Sequence, residues 1–190
     1  ANPISAERSH MRHTLLPHLF EVAAANSRHH DHVALFSIDK VYLMTGNGPL
    51  PEEPRRLAIV MTGAREPESW KKGDRSALDF YDFKGVIESM LDSLGIKEIR
   101  YESMEHETYY PGRTARLVIG GQTAVGVFGE VHPGVRERYD FPDQPVLAGE
   151  IDFEALSAAV PEASRISDVP RFPAVTEDIA LVVDDQLPAE

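Results

Sequence analysis

Residues 117–131 read LVIGGQTAVGVFGEV, and this stretch decides the fold class. Two apolar runs, 117–119 and 125–131, flank the pair Gly120 and Gly121, which is typical of a β-hairpin with a glycine turn. Further apolar runs of strand length lie on both sides of it, several of them joined by short links, without a regular alternation of strands and helices. We therefore predict an α+β fold with a largely antiparallel sheet flanked by helices.

The strongest helix signal lies at 79–94. Phe83, Ile87 and Leu91 recur at helical spacing, Asp79 suits the N-terminal cap, and Gly95 stands where a C′ glycine belongs. The pattern also predicts a first helix that starts near residue 14 and ends at 26–27, short helices at 133–139 and 153–159, and strands at 33–36, 41–44, 57–61, 96–103, 146–151 and 179–183.

Composition excludes several classes of protein. The chain has 190 residues, of which 42% are hydrophobic and 26% charged, so it is not disordered throughout. Its formal net charge of −12 gives it no general attraction to nucleic acid. It has no cysteine, no apolar run as long as a membrane span and no secretory signal, so we expect a cytoplasmic protein. The chain opens on Ala1 without Met, and we expect it to be part of a longer protein.

Two polar clusters are candidates for chemistry. The run 29–32, His-His-Asp-His, could supply metal ligands, but neighbouring side chains diverge, and only His29 and His32 could share a helical face. The favoured interpretation of this run is a solvated helix C-terminus, where His also suits the helix dipole. Arg12, between two histidines, could clamp a substrate or simply lead into the first helix.

No known catalytic pattern occurs in the sequence. It contains no phosphate-binding loop, no dinucleotide fingerprint, no nucleophile elbow and no HExxH zinc motif. The basic pairs 55–56 and 71–72 lack interleaved aromatic residues, so they favour solvated surface over an RNA track. The residues alone therefore identify an α+β module without a catalytic constellation.

Several motifs, taken together and in order, resemble the β subunit of bacterial phenylalanine–tRNA ligase. Ser-Ile-Asp at 37–39 and Tyr110 depart from the family's usual Glu-Ile-Gly and His. The stretches that carry the resemblance are NPIS (2–5), MRHTLLP (11–17), Asn26, LFSI (35–38), 51–63, Trp70 with DFYDFKG (79–85), PGRTA (111–115), GVFGEVHP (126–133), FPAV (172–175) and DIALVV (178–183).

The resemblance implies a role within a larger enzyme. Residues 1–168 would form a class II synthetase-like module that keeps the fold but not the catalytic residues, and 169–190 would begin a ferredoxin-like anticodon-binding domain. The parent enzyme attaches phenylalanine to its tRNA using ATP and Mg²⁺, and the α subunit performs the chemistry in an α2β2 tetramer. We expect no cofactor in this fragment, a structural role supporting the α subunit and tRNA binding, and no membrane partner.

The same resemblance implies no catalytic, cofactor-binding or metal-ligating residue in this chain. It assigns a structural or interface role to the motif positions Asn2, Pro3, Met11, Arg12, Leu15, Asn26, Lys84, Gly85, Pro111, Gly112, Arg113, Gly129, Glu130, His132 and Pro133.

Two other functions stay open. The chain could be a free-standing class II-like module that senses an amino acid or a nucleotide. It could also be a metal-dependent hydrolase that uses His29 and His32, a hypothesis with weaker support because three or four convergent ligands are needed.

Overall fold

A computed structural model describes residues 10–46, 50–70, 73–121 and 123–162, together with residues 177, 178, 180 and 182. Within these residues, four helices and six strands alternate irregularly. In chain order they are α1 (Leu16–Ser27), β1 (His32–Lys40), β2 (Arg55–Gly63), α2 (Phe80–Ser93), β3 (Ile99–Ser103), β4 (Tyr109–Ile119), β5 (Thr123–Val131), α3 (Pro133–Arg138), β6 (Val146–Asp152) and α4 (Phe153–Ala159).

The six strands form one sheet in the order β1-β2-β6-β5-β4-β3, and every neighbouring pair is antiparallel. The predicted hairpin is its β4–β5 pair, in which Leu117 faces Gly126. Gly120 and Gly121 make the turn with φ of +62° and +85°, which favours glycine at both positions. The antiparallel fold class predicted from the sequence is therefore confirmed.

Helices α2 and α4 cover one face of the sheet. Phe83, Ile87 and Leu91 of α2 are fully buried in a core shared with Phe128 of β5. Asp79 caps α2 by accepting hydrogen bonds from the N–H groups of residues 81 and 82, as its position predicted. Burial of this apolar stripe is the main stabilising contribution to α2.

Helix α1 covers part of the opposite face. Leu19, Phe20 and Ala23 are buried against Ala58 and Val60, the β2 residues whose side chains point away from α2. The small Ala23 and its neighbours let the helix approach the strands closely. Phe20 also meets the rings of Tyr139 and Phe141 edge-on, with centroids 5.3 and 6.2 Å away.

The strand predicted at 41–44 is wrong. Strand β1 instead runs on to residue 40 and pairs with β2, and only Leu43 makes an isolated bridge, to Glu52. Val41 is fully buried and its N–H bonds to the carbonyl of Pro54, whereas Met44 at the end of the run is 68% exposed, so Val41 alone of this run lies fully in the core.

One predicted strand starts later than expected, and the predictions for the end of the chain lie outside the continuously described residues. Strand β3 begins at residue 99 rather than 96, because the Ile96 N–H bonds back to the Leu91 carbonyl at the end of α2. The predicted strand at 179–183 and the domain boundary at 168/169 lie outside the continuously described residues. None of the described helices is long and apolar enough to cross a membrane.

Candidate functional site

A cavity of about 560 Å³ lies on the α1 face of the sheet, between the first turns of α1 and strands β4, β5 and β6. We call it the sheet-face cavity. Its apolar lining includes Leu16, Phe20, Val127 and Tyr139, and its charged lining consists of Arg56, Arg116, Glu150 and Asp152, with His13 and His106 as further polar residues.

The strand register places the charged residues in two rows across the sheet. Arg116 of β4 lies opposite Val127 of β5, which lies opposite Glu150 of β6. In the next row Asp152 of β6 lies opposite Arg56 of β2. Because residues two apart on a strand share a face, Glu150 and Asp152 both point into the cavity.

Glu150 is bonded to the start of α1. Its Oε1 accepts hydrogen bonds from Oγ1 of Thr14 at 2.8 Å and from the Leu15 N–H at 2.7 Å. Thr14 Oγ1 in turn accepts from the Leu16 N–H at 3.2 Å. The carboxylate therefore satisfies donors that the first helical turn leaves unpaired.

Asp152 is bonded in two directions. One oxygen pairs with the Arg56 guanidinium and the other accepts from the Ala155 N–H at 2.9 Å, which caps α4. Both members of the ion pair are largely shielded from solvent, with side-chain exposures of 22% and 30%. The opposite charges of Arg56 and Asp152 neutralise each other, and the ion pair links β2, β6 and α4.

Arg116 is held more loosely. Its side chain is 44% exposed, and its ion-pair partner is Glu102 on the edge strand β3, 3.9 Å away. Tyr109 lies deeper in the cavity wall and is 3% exposed. Burial raises the pKa of the Tyr109 phenol, and the nearby Glu150 carboxylate raises it further.

The sheet-face cavity thus has the size of a small-molecule site, but its acids are engaged by the protein itself. No group of three or more His, Asp or Glu side chains is arranged to hold a metal ion anywhere in the described parts of the chain. The arrangement is better suited to holding the fold together, or to binding an anionic group through an arginine, than to metal-assisted chemistry.

The sequence model of the phenylalanyl tRNA synthetase beta chain CLM domain matches residues 1–153. The chain belongs to this family. It is 42% identical over 190 residues to the phenylalanine–tRNA ligase beta subunit of Symbiobacterium thermophilum and 40% identical over 191 residues to that of Geobacillus kaustophilus. Each comparison covers 100% of this chain but only 21% and 23% of the relative, so the chain spans about a fifth of the length of these proteins.

A solved structure shares the fold. The pyrrolysyl-tRNA synthetase of Desulfitobacterium hafniense superposes with a TM-score of 0.54 at 18% identity, over 77% of this chain and 48% of that one. The CLM domain therefore has a class II aminoacyl-tRNA synthetase-like fold, as the motifs led us to expect.

The motif residues of the CLM domain do not converge on one site. Leu15 reaches the cavity's edge through its bond to Glu150, and Arg12 binds β1 through Asp39 and the Lys40 carbonyl, at 2.6 and 2.9 Å. The Arg12 guanidinium lowers the pKa of Asp39 by hydrogen bonding. Met11 is 58% exposed, and Asn26 donates to a carbonyl in its own helix.

A second group of motif residues meets at the far end of β4 and β5. Arg113 pairs with Glu130 at 2.5 Å and lies over the Tyr110 ring at 4.9 Å. His132 accepts from the Gly134 N–H at 3.1 Å and thereby caps α3, in which Pro133 is the first residue. The structure thus brings two separate motifs together. Pro111 and Gly112 occupy the irregular part of β4, where Gly112 has φ of +79°.

The remaining motif residues lie elsewhere. Lys84 and Gly85 are on α2, across the sheet from the cavity, where Lys84 contacts Glu88 at 3.6 Å and the Tyr101 ring at 4.7 Å. Asn2 and Pro3 lie outside the described residues.

The histidines of the run 29–32, considered above as possible metal ligands, do not converge in the structure. His32 begins β1 and its Nδ1 lies 2.7 Å from the Ala64 carbonyl oxygen, whereas His29 follows the end of α1. The two imidazoles therefore do not share a helical face. Asp31 pairs with Arg75 instead of completing a ligand set.

Sequence reasoning missed the charged cavity residues Arg116, Glu150 and Asp152 altogether and read Arg56 as solvated surface. One signal was available, since 150–152 reads Glu-Ile-Asp at the end of a strand, with alternating acids around a buried isoleucine. Their partners are far away in sequence, so no local spacing reveals the site.

Proposed function

We propose that this CLM domain is a catalytically silent module of the phenylalanine–tRNA ligase β subunit, in the C-terminal part of that subunit. Its role is to support the α subunit, which attaches phenylalanine to its tRNA with ATP. The observation that carries this proposal is the internal bonding of the cavity's charged groups. Arg56 is bound to Asp152, and Glu150 is bound to α1, so these groups hold the fold together.

A catalytic class II site would need cations directed at the ATP phosphates. In the sheet-face cavity Arg56 already donates to a carboxylate, and releasing it would leave a part-buried Asp152 unpaired. This leaves a single loosely held arginine in the lining, Arg116, which by itself does not form the set of charged groups that the ATP phosphates need. ATP and Mg²⁺ in this proposal belong to the parent enzyme in the cytoplasm, outside this domain.

The proposed partners are the α subunit, in an α2β2 tetramer, and phenylalanine tRNA through the rest of the β subunit. Residues 1–168 form the synthetase-like module, and 169–190 open the anticodon-binding domain. The motif residues, such as Arg113 and Glu130, stabilise the module or contact the partner.

The first experiment expresses the full-length gene product with a tag in its own cells and identifies co-purifying proteins by mass spectrometry. We expect a stoichiometric partner that carries class II ATP-binding signatures. A lone protein would contradict the proposal.

Catalytic silence is tested in the purified complex. We expect Arg56→Gln to leave aminoacylation kcat and the KM for ATP within about twofold, with the surface variant Arg55→Gln as the matched control. A loss above about tenfold in an intact complex would show that the cavity takes part in catalysis.

The alternative function, a free-standing module that senses an amino acid or a nucleotide, is favoured by the size of the cavity. Saturable binding of phenylalanine or ATP by a protein without an α partner would support it.

A further inference from the structure

Three of the four charged side chains that line the sheet-face cavity are held firmly by the protein itself. Glu150 already accepts from the Thr14 hydroxyl and the Leu15 N–H, and Asp152 already holds Arg56 and the cap of α4. Each acid therefore has lost part of its capacity to accept hydrogen bonds from a ligand.

Arg116 differs from these groups. It lines the cavity, its side chain is 44% exposed, and its ion pair with Glu102 spans 3.9 Å. Exposed ion pairs of this length contribute little to stability, so Arg116 can exchange Glu102 for another carboxylate at small cost. The planar guanidinium is well suited to hold a carboxylate with two parallel hydrogen bonds.

Part of the cavity lining is apolar. Leu16 and Phe20 of α1, Val127 of β5 and Tyr139 line the same 560 Å³ volume as Arg116. A cavity of this size encloses a small molecule, and burial of apolar surface against these side chains would contribute most of the affinity.

We propose that the sheet-face cavity binds a small amphipathic carboxylate, with the acid group on Arg116 and the apolar body against Leu16, Phe20 and Tyr139. The site does not depend on the module's role in the ligase. Recognition requires both the carboxylate and the apolar body, so the site distinguishes a carboxylate from its uncharged amide.

The test titrates the 190-residue chain with 3-phenylpropanoate, using calorimetry for affinity and NMR for location. We expect saturable binding with a Kd below about 10 mM. The largest chemical-shift changes should fall on Arg116, Val127 and Tyr139, and not on α2. Arg116→Gln should weaken binding at least about tenfold, because it removes the charged partner.

Two variants on the edge strand serve as comparisons. Glu102→Gln removes the competing carboxylate and should tighten binding about two- to threefold. Arg100→Gln is the matched control, because Arg100 also faces Glu102, at 4.0 Å, but does not line the cavity. The affinity of the Arg100→Gln variant for 3-phenylpropanoate should stay within about twofold of that of the unsubstituted chain. Unchanged thermal unfolding of all three variants shows that the fold is intact.

One further probe tests the chemistry. The amide 3-phenylpropanamide, which removes the charge, should bind at least about fivefold more weakly than 3-phenylpropanoate. Equal binding of the amide, an unchanged affinity of Arg116→Gln, or no saturable binding of 3-phenylpropanoate would overturn the proposal. None of these results alters association with an α subunit, so the two proposals fail separately.

Discussion

Thr14, at the start of α1, and Glu150, on the interior strand β6, are 136 positions apart, and Oγ1 of Thr14 donates a 2.8 Å hydrogen bond to Oε1 of Glu150. The Leu15 N–H donates to the same oxygen at 2.7 Å. One carboxylate therefore fixes the N-terminal end of α1 against the sheet. Because α1 also forms a wall of the sheet-face cavity, Glu150 helps to set the shape of that cavity.

Replacing Glu150 tests this anchor. We expect Glu150→Ala to lower the free energy of unfolding by about 2 kcal/mol, because a part-buried hydroxyl and an N–H lose a charged acceptor. Glu150→Gln keeps one oxygen acceptor and should cost about 1 kcal/mol. Chemical denaturation followed by circular dichroism measures both values.

The matched control for Glu150 is Glu154→Gln. Glu154 pairs with Arg55 at 2.8 Å, but both side chains are about half exposed, at 49% and 50%. Its loss should cost less than about 1 kcal/mol, as for other surface pairs. Equal costs at positions 150 and 154 would show that α1 does not depend on the anchor.

A second prediction concerns the core on the opposite face. Phe83→Ala should cost about 3–5 kcal/mol, because the ring is fully buried, 5.9 Å from the Phe128 ring, and leaves a cavity when removed. Tyr81→Ala, on the same helix but 75% exposed, should change stability by less than about 0.5 kcal/mol. An unchanged denaturation midpoint for Phe83→Ala would mean that another face of α2 is buried.

Local signals explain why α2 and the β4–β5 hairpin could be predicted from sequence. Asp79, Gly95 and the apolar spacing of α2 all lie within one segment, and the two turn glycines of the hairpin are adjacent. The family motifs also predict the class II-like fold, which the spacing of apolar residues alone does not identify.

Other features depend on residues distant in sequence. The apolar run at 41–44 looked like a strand, but β1 pairs with β2, and Val41 packs in the core on the α1 side while its N–H bonds to the Pro54 carbonyl. Glu150 meets Thr14, and Asp152 meets Arg56, across gaps of 136 and 96 positions. Only the sheet order, with β6 between β2 and β5, brings these charges into one cavity.

A third prediction uses pH. Hydrogen bonds from the Ser76 hydroxyl and N–H, and then from Arg65, lower the pKa of Asp74 from 3.8 to about 2. A carboxyl whose folded pKa is depressed contributes stability that is fully present above the unfolded pKa. We therefore expect this contribution to disappear as the pH falls from about 4 to about 2.

NMR titration of the Asp74 carboxyl carbon measures this pKa. Ser76→Ala should raise it toward 3.8, and the unfolding free energy of this variant should depend less on pH below about 4. Ser93→Ala is the control, because the Ser93 hydroxyl donates to the Ser89 carbonyl and touches no acid. An Asp74 pKa that stays at about 2 in Ser76→Ala would assign the shift to the backbone N–H of residue 76 and to Arg65 instead.

Two glycines of the family motifs should respond in opposite ways to alanine. Gly85 lies inside α2, and no atom lies within 4 Å of the position that an alanine Cβ would take, so Gly85→Ala should stabilise the protein by about 0.5–1 kcal/mol. At Gly129 a Cβ atom would collide with the Arg113 carbonyl oxygen and lie 3.0 Å from the Thr114 Cα, which are backbone atoms of β4. Gly129→Ala should therefore cost about 1–3 kcal/mol, since the two strands must separate. Urea denaturation measures the free energy of unfolding of both variants. A loss of stability in Gly85→Ala would contradict the open helix position described above, and unchanged stability in Gly129→Ala would contradict the close approach of β4 and β5.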